Sequence, residues 1–217
     1  MTNVACINMI KQQLRTNNVL DDRVLALYAT GSRERFVPPN MKDFAFSDMQ
    51  IPFEHEQRMM TPTEEALILQ SLQLKGHERI LEIGTGTGYF TSLLSQLGKE
   101  VISIEYYQDL AYNAQKKLNA EGCHNVTVLQ GDGCAGWMNK APYDMIILTG
   151  GIEAITKSHQ LQLLPGGKLC AIVGKKPVME CQLLTLDHQD NWTYDVLFDT
   201  CLPSLINNMC SSEPFVF

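Results

Sequence analysis

The sequence predicts an α/β fold built on a mostly parallel, Rossmann-like sheet, and three observations predict it. Residues 79–83 (Arg-Ile-Leu-Glu-Ile) are an apolar run bounded by charge, the pattern of a buried strand. Gly84, Gly86 and Gly88 follow at alternate positions, and residues 89–97 then carry apolar side chains at helical spacing. The same strand–helix alternation continues as far as Val173, which calls for parallel strands joined by right-handed crossovers. A ligand of such a sheet binds at the carboxyl ends of the strands, where the strand order reverses.

The elements follow in order. Residues 1–15 are helical in pattern, with Ile7, Ile10 and Leu14 on one face. A second helix starts at Asp21-Asp22, acidic at its N-terminus as the helix dipole prefers, and Gly31 closes it. Val37-Pro38-Pro39 breaks regularity, and Phe44, Phe46, Ile51 and Phe53 make an irregular aromatic segment over the main domain. Thr61-Pro62-Thr63-Glu64 has the form of a capping box with proline at the first helical position. Its helix runs to Leu74 and stops at Gly76. Strands follow at 101–105, 126–129, 143–148 and 168–173, with helices at 109–120 and 154–164, the second of these stopped by Pro165-Gly166-Gly167. Residues 182–186 and 194–198 form a closing antiparallel pair turned at Asp190-Asn191, and 202–217 shows no periodicity. The expected organisation is a single domain, with an N-terminal layer at 1–77, a binding core at 78–186, and an edge strand and tail at 187–217.

The glycine loop carries the chemistry. Its spacing is G-x-G-x-G rather than the dinucleotide fingerprint G-x-G-x-x-G, and Glu82 precedes it inside the strand. A carboxylate there repels a pyrophosphate and suits an ammonium group. Glu105 ends the second strand, where a carboxylate accepts ribose hydroxyls. Asp132, in Gly131-Asp132-Gly133, follows the third strand and is placed to accept from an adenine amino group; read locally it is an Asp-Gly turn. A nucleoside with an amino-acid tail fits this set, and S-adenosylmethionine is such a molecule.

Composition bounds the rest. The 217 residues are 45% apolar and 19% charged, enough for a core and too apolar for disorder. The net charge of -7 has no basic block, which argues against nucleic-acid binding. Seven cysteines, an odd number without a CxxC pair, read as apolar thiols of a reducing cytoplasm, with no zinc site. No signal peptide and no apolar run of about 18 residues is visible, so no membrane partner is expected.

Several segments together resemble the protein-L-isoaspartate O-methyltransferase family. They are Gln12-Gln13-Leu14-Arg15, Asp22-Arg23-Val24-Leu25, Arg33-Glu34-Arg35-Phe36-Val37-Pro38, Gln57, Pro62, residues 81–89, Gly131-Asp132-Gly133, Pro142-Tyr143-Asp144 and Leu164-Pro165-Gly166-Gly167-Lys168-Leu169. The resemblance covers roughly residues 5–175; the glycine motif alone would indicate only a class I methyltransferase. It implies a seven-stranded class I methyltransferase sheet with helices on both faces, one antiparallel excursion at the edge and an N-terminal helical layer. It implies S-adenosyl-L-methionine held by Glu82, Gly84, Thr85, Gly86, Gly88, Glu105, Asp132 and Gly133, and a protein substrate bearing an isoaspartyl residue. A monomer or weak dimer is expected. The loop before Pro62 departs from the family's Gly-Gln-Thr-Ile-Ser-x-Pro: the serine falls on Met60 and the threonine on Arg58. Met60 and Thr61 are therefore the candidate catalytic positions, with Thr61 also read as a helix N-cap. Arg58 and Met59 are the candidate substrate contacts, Arg58 as a carboxylate partner or a solvated charge. Met59, Met60 and Phe53 suit an apolar wall, and His55 has no sequence neighbour that would make it a base. Residues 149–153 and the tail also depart from the family pattern, which leaves a changed acceptor, or cofactor binding without transfer, as the competing readings; a dinucleotide dehydrogenase is disfavoured by the loop spacing and Glu82.

Overall fold

Strand β3 (Arg79–Ile83), the glycine loop and helix α4 (Tyr89–Leu97) form one continuous unit in the computed structural model, as the sequence pattern demands. The structure describes residues 4–207 apart from 31 and 190. Before β3 come helices α1 (Val4–Met9), α2 (Asp22–Ala29) and α3 (Pro62–Leu72), and a small antiparallel pair, β1 (Ile51–Pro52) and β2 (Arg58–Met59). After α4 come β4 (Glu100–Glu105), α5 (Gln108–Ala120), β5 (Val126–Gln130), β6 (Tyr143–Ile152), α6 (Lys157–Gln160), β7 (Leu163–Lys175), β8 (Val178–Leu186) and β9 (Trp192–Thr200).

The main sheet has seven strands in the order β5-β4-β3-β6-β7-β8-β9. Every neighbouring pair from β5 to β7 is parallel; β8 runs antiparallel to both β7 and β9. The order reverses between β3 and β6, so the carboxyl ends of these two strands flank the opening where a ligand enters.

The reversal also explains why the two faces differ. Connections β3→β4 and β4→β5 step one way, so right-handed crossovers put α4 and α5 on one face. Leu93, Leu94 and Leu118 from these helices share a core with Ile80, Val101, Met145 and Ile147, and with the N-terminal layer. Connections after β5 and β6 lie on the other face, where Trp137, Ile155 and Leu163 cover Leu81, Ile83, Ile102 and Ile146.

That second face holds the main departure from the expected elements. The helix expected at 154–164 is confined to α6, and Leu163 already pairs with Tyr143 as the start of β7. Gln162 competes for this segment: fully buried, it accepts from Trp137 N at 2.6 Å and donates to the carbonyl of Ala135 at 2.8 Å. Pro165-Gly166-Gly167 therefore sits inside β7, at a register shift, rather than behind a helix. The first helix is also divided: α1 gives way to a π-helical stretch at Ile10–Leu14. The expected closing turn at Asp190-Asn191 lies partly outside the described residues, as do Gly31, Cys210 and the tail beyond 207. Cys123, Cys170, Cys181 and Cys201 are reduced thiols as expected. Cys134 is not: it is disulfide-bonded.

Candidate active site

The glycine loop lies between the ends of β3 and β6. Gly84, Gly86 and Gly88 all have positive φ (102°, 53° and 86°). A Cβ on Gly84 would lie 2.4 Å from Thr149 Oγ1, and one on Gly86 would lie 3.0 Å from Phe53 Cζ. A side chain at Gly84 would collide with Thr149 and one at Gly86 would press on the Phe53 ring, and at positive φ both positions favour glycine; both line an open cavity of about 890 Å³. Its lining includes Gly84, Thr85, Gly86, Glu105, Asp132 and Gly133, together with Phe53, Arg58, Met59, Met60 and Glu65 from the segment before and within α3.

Glu105 is placed as expected. It is buried at the end of β4, and its carboxylate accepts from Gly86 N at 2.8 Å and Tyr107 N at 3.0 Å. A carboxylate has about four acceptor positions, so two remain for a ligand's hydroxyls. Burial raises its pKa, against the pull of those backbone N–H groups.

Asp132 also lines the cavity. Its Oδ1 accepts from Cys134 N at 3.0 Å, the Asp-Gly turn read from sequence. Its Oδ2 accepts from Asn207 Nδ2 at 2.7 Å, a contact no local pattern announces. That contact belongs to a strap, residues 203–207, which packs against β6 at Gly151 and lines the cavity through Pro203, Ser204, Leu205 and Ile206. Gly151 N donates to the Pro203 carbonyl at 2.9 Å, and Leu205 N to the Gly151 carbonyl at 2.8 Å. Leu205 thereby reaches the cavity wall beside Gly84.

Two expected ligand residues sit elsewhere. Glu82 is fully buried beneath the loop, not among the cavity walls. Alternate residues of a strand face opposite sides, and Glu82 shares its side with Ser103, its partner on β4. Its Oε2 accepts from Thr91 Oγ1 and Ser103 Oγ, each at 2.6 Å, and Ser103 Oγ lies 2.5 Å from Thr85 Oγ1. Its other oxygen has no partner among the described residues. Burial pushes the Glu82 carboxyl up to about 8, although both hydroxyls oppose it. Glu82 therefore braces the loop from below. Gly88 is the second: a Cβ there would meet Ala114 of α5 at 3.2 Å, so this glycine lets α5 pack closely and opens α4.

Of the residues before α3, Met59 and Met60 are buried and Arg58 is exposed, all three lining the cavity. Arg58 pairs with Pro52 through its backbone, and its guanidinium makes no hydrogen bond or ion pair among the described residues. Thr61 is not a cavity residue. It closes a complete capping box: Glu64 N donates to Thr61 Oγ1 at 3.1 Å, and Thr61 N to Glu64 Oε2 at 2.7 Å. His55 binds both oxygens of Asp109 at 2.9 and 3.0 Å and stacks on Tyr107 at 3.9 Å, stapling the β1–β2 connection to the start of α5.

Glu65, Thr149, the tyrosines after Glu105 and the strap are site residues that sequence reasoning missed. Tyr106 and Tyr107 carried a signal, since they directly follow the expected ribose carboxylate. Leu205 and Asn207 carried none.

The comparisons with known proteins bear on this geometry. A family model described as protein-L-isoaspartate(D-aspartate) O-methyltransferase matches residues 6–199. The chain belongs to that family. Among curated relatives of this methyltransferase family, one from Pelobacter propionicus, "Protein-L-isoaspartate O-methyltransferase 2", is 37% identical over 172 residues, covering 79% of this chain and 76% of the relative. Another, from Rhodopseudomonas palustris, is 42% identical over 166 residues, covering 76% and 68%. A solved protein-L-isoaspartate O-methyltransferase superposes with a TM-score of 0.79 at 23% identity, over 94% of this chain and 66% of that one. A Plasmodium falciparum structure, a putative member in complex with S-adenosyl-L-homocysteine, gives 0.77 at 19% identity, over 91% and 96%. At such identities the structural likeness shows the fold, a seven-stranded, mostly parallel methyltransferase sheet.

Proposed function

We propose that the protein transfers a methyl group from S-adenosyl-L-methionine to the isoaspartyl carboxylate of damaged proteins. The observation that carries this reading is a single cavity lined both by the glycine cradle with Glu105 and by the Arg58–Met60 segment. With Glu65 paired to Arg33, its lining carries Glu105 and Asp132 against Arg58, a balance that favours a cation over a pyrophosphate. The residues fit the cofactor: bare backbone at Gly84 and Gly86, free acceptor positions on Glu105, and a carboxylate at Asp132.

Bound there, S-adenosyl-L-methionine supplies a methyl group on a sulfonium, which a carboxylate oxygen takes by in-line displacement. The acceptor is already ionised at neutral pH, so no general base is needed. Opposite charges vanish as the new bond forms, so a dry, aligned site favours the transition state. The chain supplies that setting: Met59, Met60 and Phe53 exclude water, and Arg58 has an unoccupied guanidinium for a carboxylate of the substrate. Thr61 is left to its cap. Action in the cytoplasm, without nucleic acid or membrane, belongs to the same proposal and rests on composition; a monomer or weak dimer is proposed with it. Among the described residues, no helix is long and apolar enough to cross a membrane.

One observation favours a second reading. The family's serine and threonine positions hold Met60 and Arg58, both in the cavity wall, which suits an acceptor carboxylate other than the isoaspartyl one. Transfer of labelled methyl to an isoaspartyl peptide, released as methanol by base, separates the two. Label on other carboxylates but none on that peptide favours the second.

A further inference from the structure

The acceptor wall has a buried support that the reaction, as described, does not use. Arg33 lies in the short turn Ser32–Arg35 and is fully buried, an uncommon place for a guanidinium. One terminal nitrogen donates to Glu65 Oε2, and the other donates to the Met60 carbonyl at 2.7 Å. The guanidinium carbon stands 4.8 Å from the centre of the Tyr89 ring. Met60, Glu65 and Tyr89 all line the cavity, whereas Arg33 does not. One planar fork thus joins three wall residues from α3, α4 and the acceptor loop.

We propose that Arg33 is a positioning residue for the methyl acceptor: through Met60 and Glu65 it fixes the shape of the acceptor wall and sets the charge that the substrate carboxylate meets. The inference rests on the acceptor binding at this end of the cavity, as proposed above. Arg33 suits the task because its fork serves two acceptors at once, which the point charge of a lysine does not.

The wall has two charge states. With Glu65 ionised, the pair is neutral overall. With Glu65 protonated, Arg33 presents one uncompensated positive charge. Burial raises the Glu65 carboxyl to about 7, Arg33 opposing that rise. The other groups facing Glu65 are Glu64 beside it on α3, Asp48 from the preceding segment, Tyr28 from α2 and Tyr89 from α4. Neither Glu64 nor Asp48 adds a cation, so Arg33 is the positive charge among those groups. The acceptor carboxylate therefore binds more weakly as pH rises through the titration of Glu65. The expected size is roughly three- to tenfold in KM, the range for one unit charge acting across a partly hydrated cavity.

The test measures kcat and KM for an isoaspartyl peptide at pH 6 and pH 8, with saturating cofactor, alongside the Kd of S-adenosyl-L-homocysteine. Wild type is compared with Glu65→Gln, which keeps the acceptor for Arg33 without the charge, and Arg33→Lys, which keeps the charge without the fork. The expected result is a three- to tenfold rise in wild-type KM between the two pH values, and no rise in Glu65→Gln. Arg33→Lys raises KM while kcat and the homocysteine Kd stay within about twofold. The inference is overturned if Glu65→Gln shows the wild-type pH dependence. It is equally overturned if Arg33→Lys weakens homocysteine binding as much as it raises KM, since the pair would then support the whole fold. Wild type that binds S-adenosyl-L-homocysteine but methylates no isoaspartyl peptide at either pH sinks the acceptor reading itself, and this inference with it.

Discussion

Replacing Glu105 by glutamine tests the cofactor site with almost no change in shape. The carboxylate now accepts two backbone N–H bonds, from Gly86 at 2.8 Å and Tyr107 at 3.0 Å. Glutamine has one acceptor oxygen, so its amide group must face one of those N–H donors and that bond is lost. The ribose hydroxyls lose a charged acceptor as well. Hydrogen bonds to charged groups contribute about 1.5–3 kcal/mol each, so losing one or two at the ligand predicts about 2–4 kcal/mol of binding. That is roughly 30- to 1000-fold in Kd. Titration calorimetry with S-adenosyl-L-homocysteine reads this directly, with circular dichroism to show that the variant is folded. A Kd within threefold of wild type would mean that the ligand does not lean on Glu105, and the reasoning from strand end to ribose would fail.

Other outcomes follow from the same geometry. Thr61→Ala removes the cap and costs about 1 kcal/mol of stability; thermal melting should register this while kcat is unchanged, and a collapse of kcat would restore Thr61 to the chemistry. Met60→Ser puts the family's hydroxyl back into the cavity wall, so isoaspartyl methylation should rise even though losing a buried methionine costs about 2–5 kcal/mol of stability; an unchanged rate would show that position 60 does not meet the acceptor. Glu82, raised from 4.5 to about 8, keeps its proton in the folded state where the unfolded chain has released it. Stability therefore falls as pH rises between those two values, by at most about 1.4 kcal/mol per pH unit for this group, and not below them. Melting of Glu82→Gln from pH 5 to 8 should show a flatter decline than wild type, and parallel curves would contradict the assignment.

The parts of the site legible in the sequence are those made by neighbours in the chain. The run from Arg79 to Leu97 holds strand, turn and helix in one local pattern, and positive φ at Gly84 and Gly86 follows from what such a turn needs. Thr61 and Glu64 declared a capping box because both partners lie within one helical turn. What was illegible depends on distant partners. The side chain of Asn207 meets Asp132 across 75 residues, and nothing around either residue signals it. Nothing local to Arg33 or Glu65 announces that they pair, because burial of an ion pair is decided by the packing of distant segments together. Residues 154–164 carry helical apolar spacing, but the strand partner of Leu163 and the buried amide of Gln162 outweigh that local preference. Glu82 was expected to meet the ligand; it lies buried against Thr91 and Ser103 instead, because alternate residues of β3 face opposite sides of the sheet and Glu82 shares its side with Ser103.

The central claim is that this cavity moves a methyl group onto an isoaspartyl carboxylate. The purified protein should be incubated with methyl-labelled S-adenosyl-L-methionine and two peptides of one sequence, one with isoaspartate and one with aspartate. The account predicts base-labile label on the isoaspartyl peptide alone. Equal label on both peptides, or none above a protein-free blank on either, would contradict it.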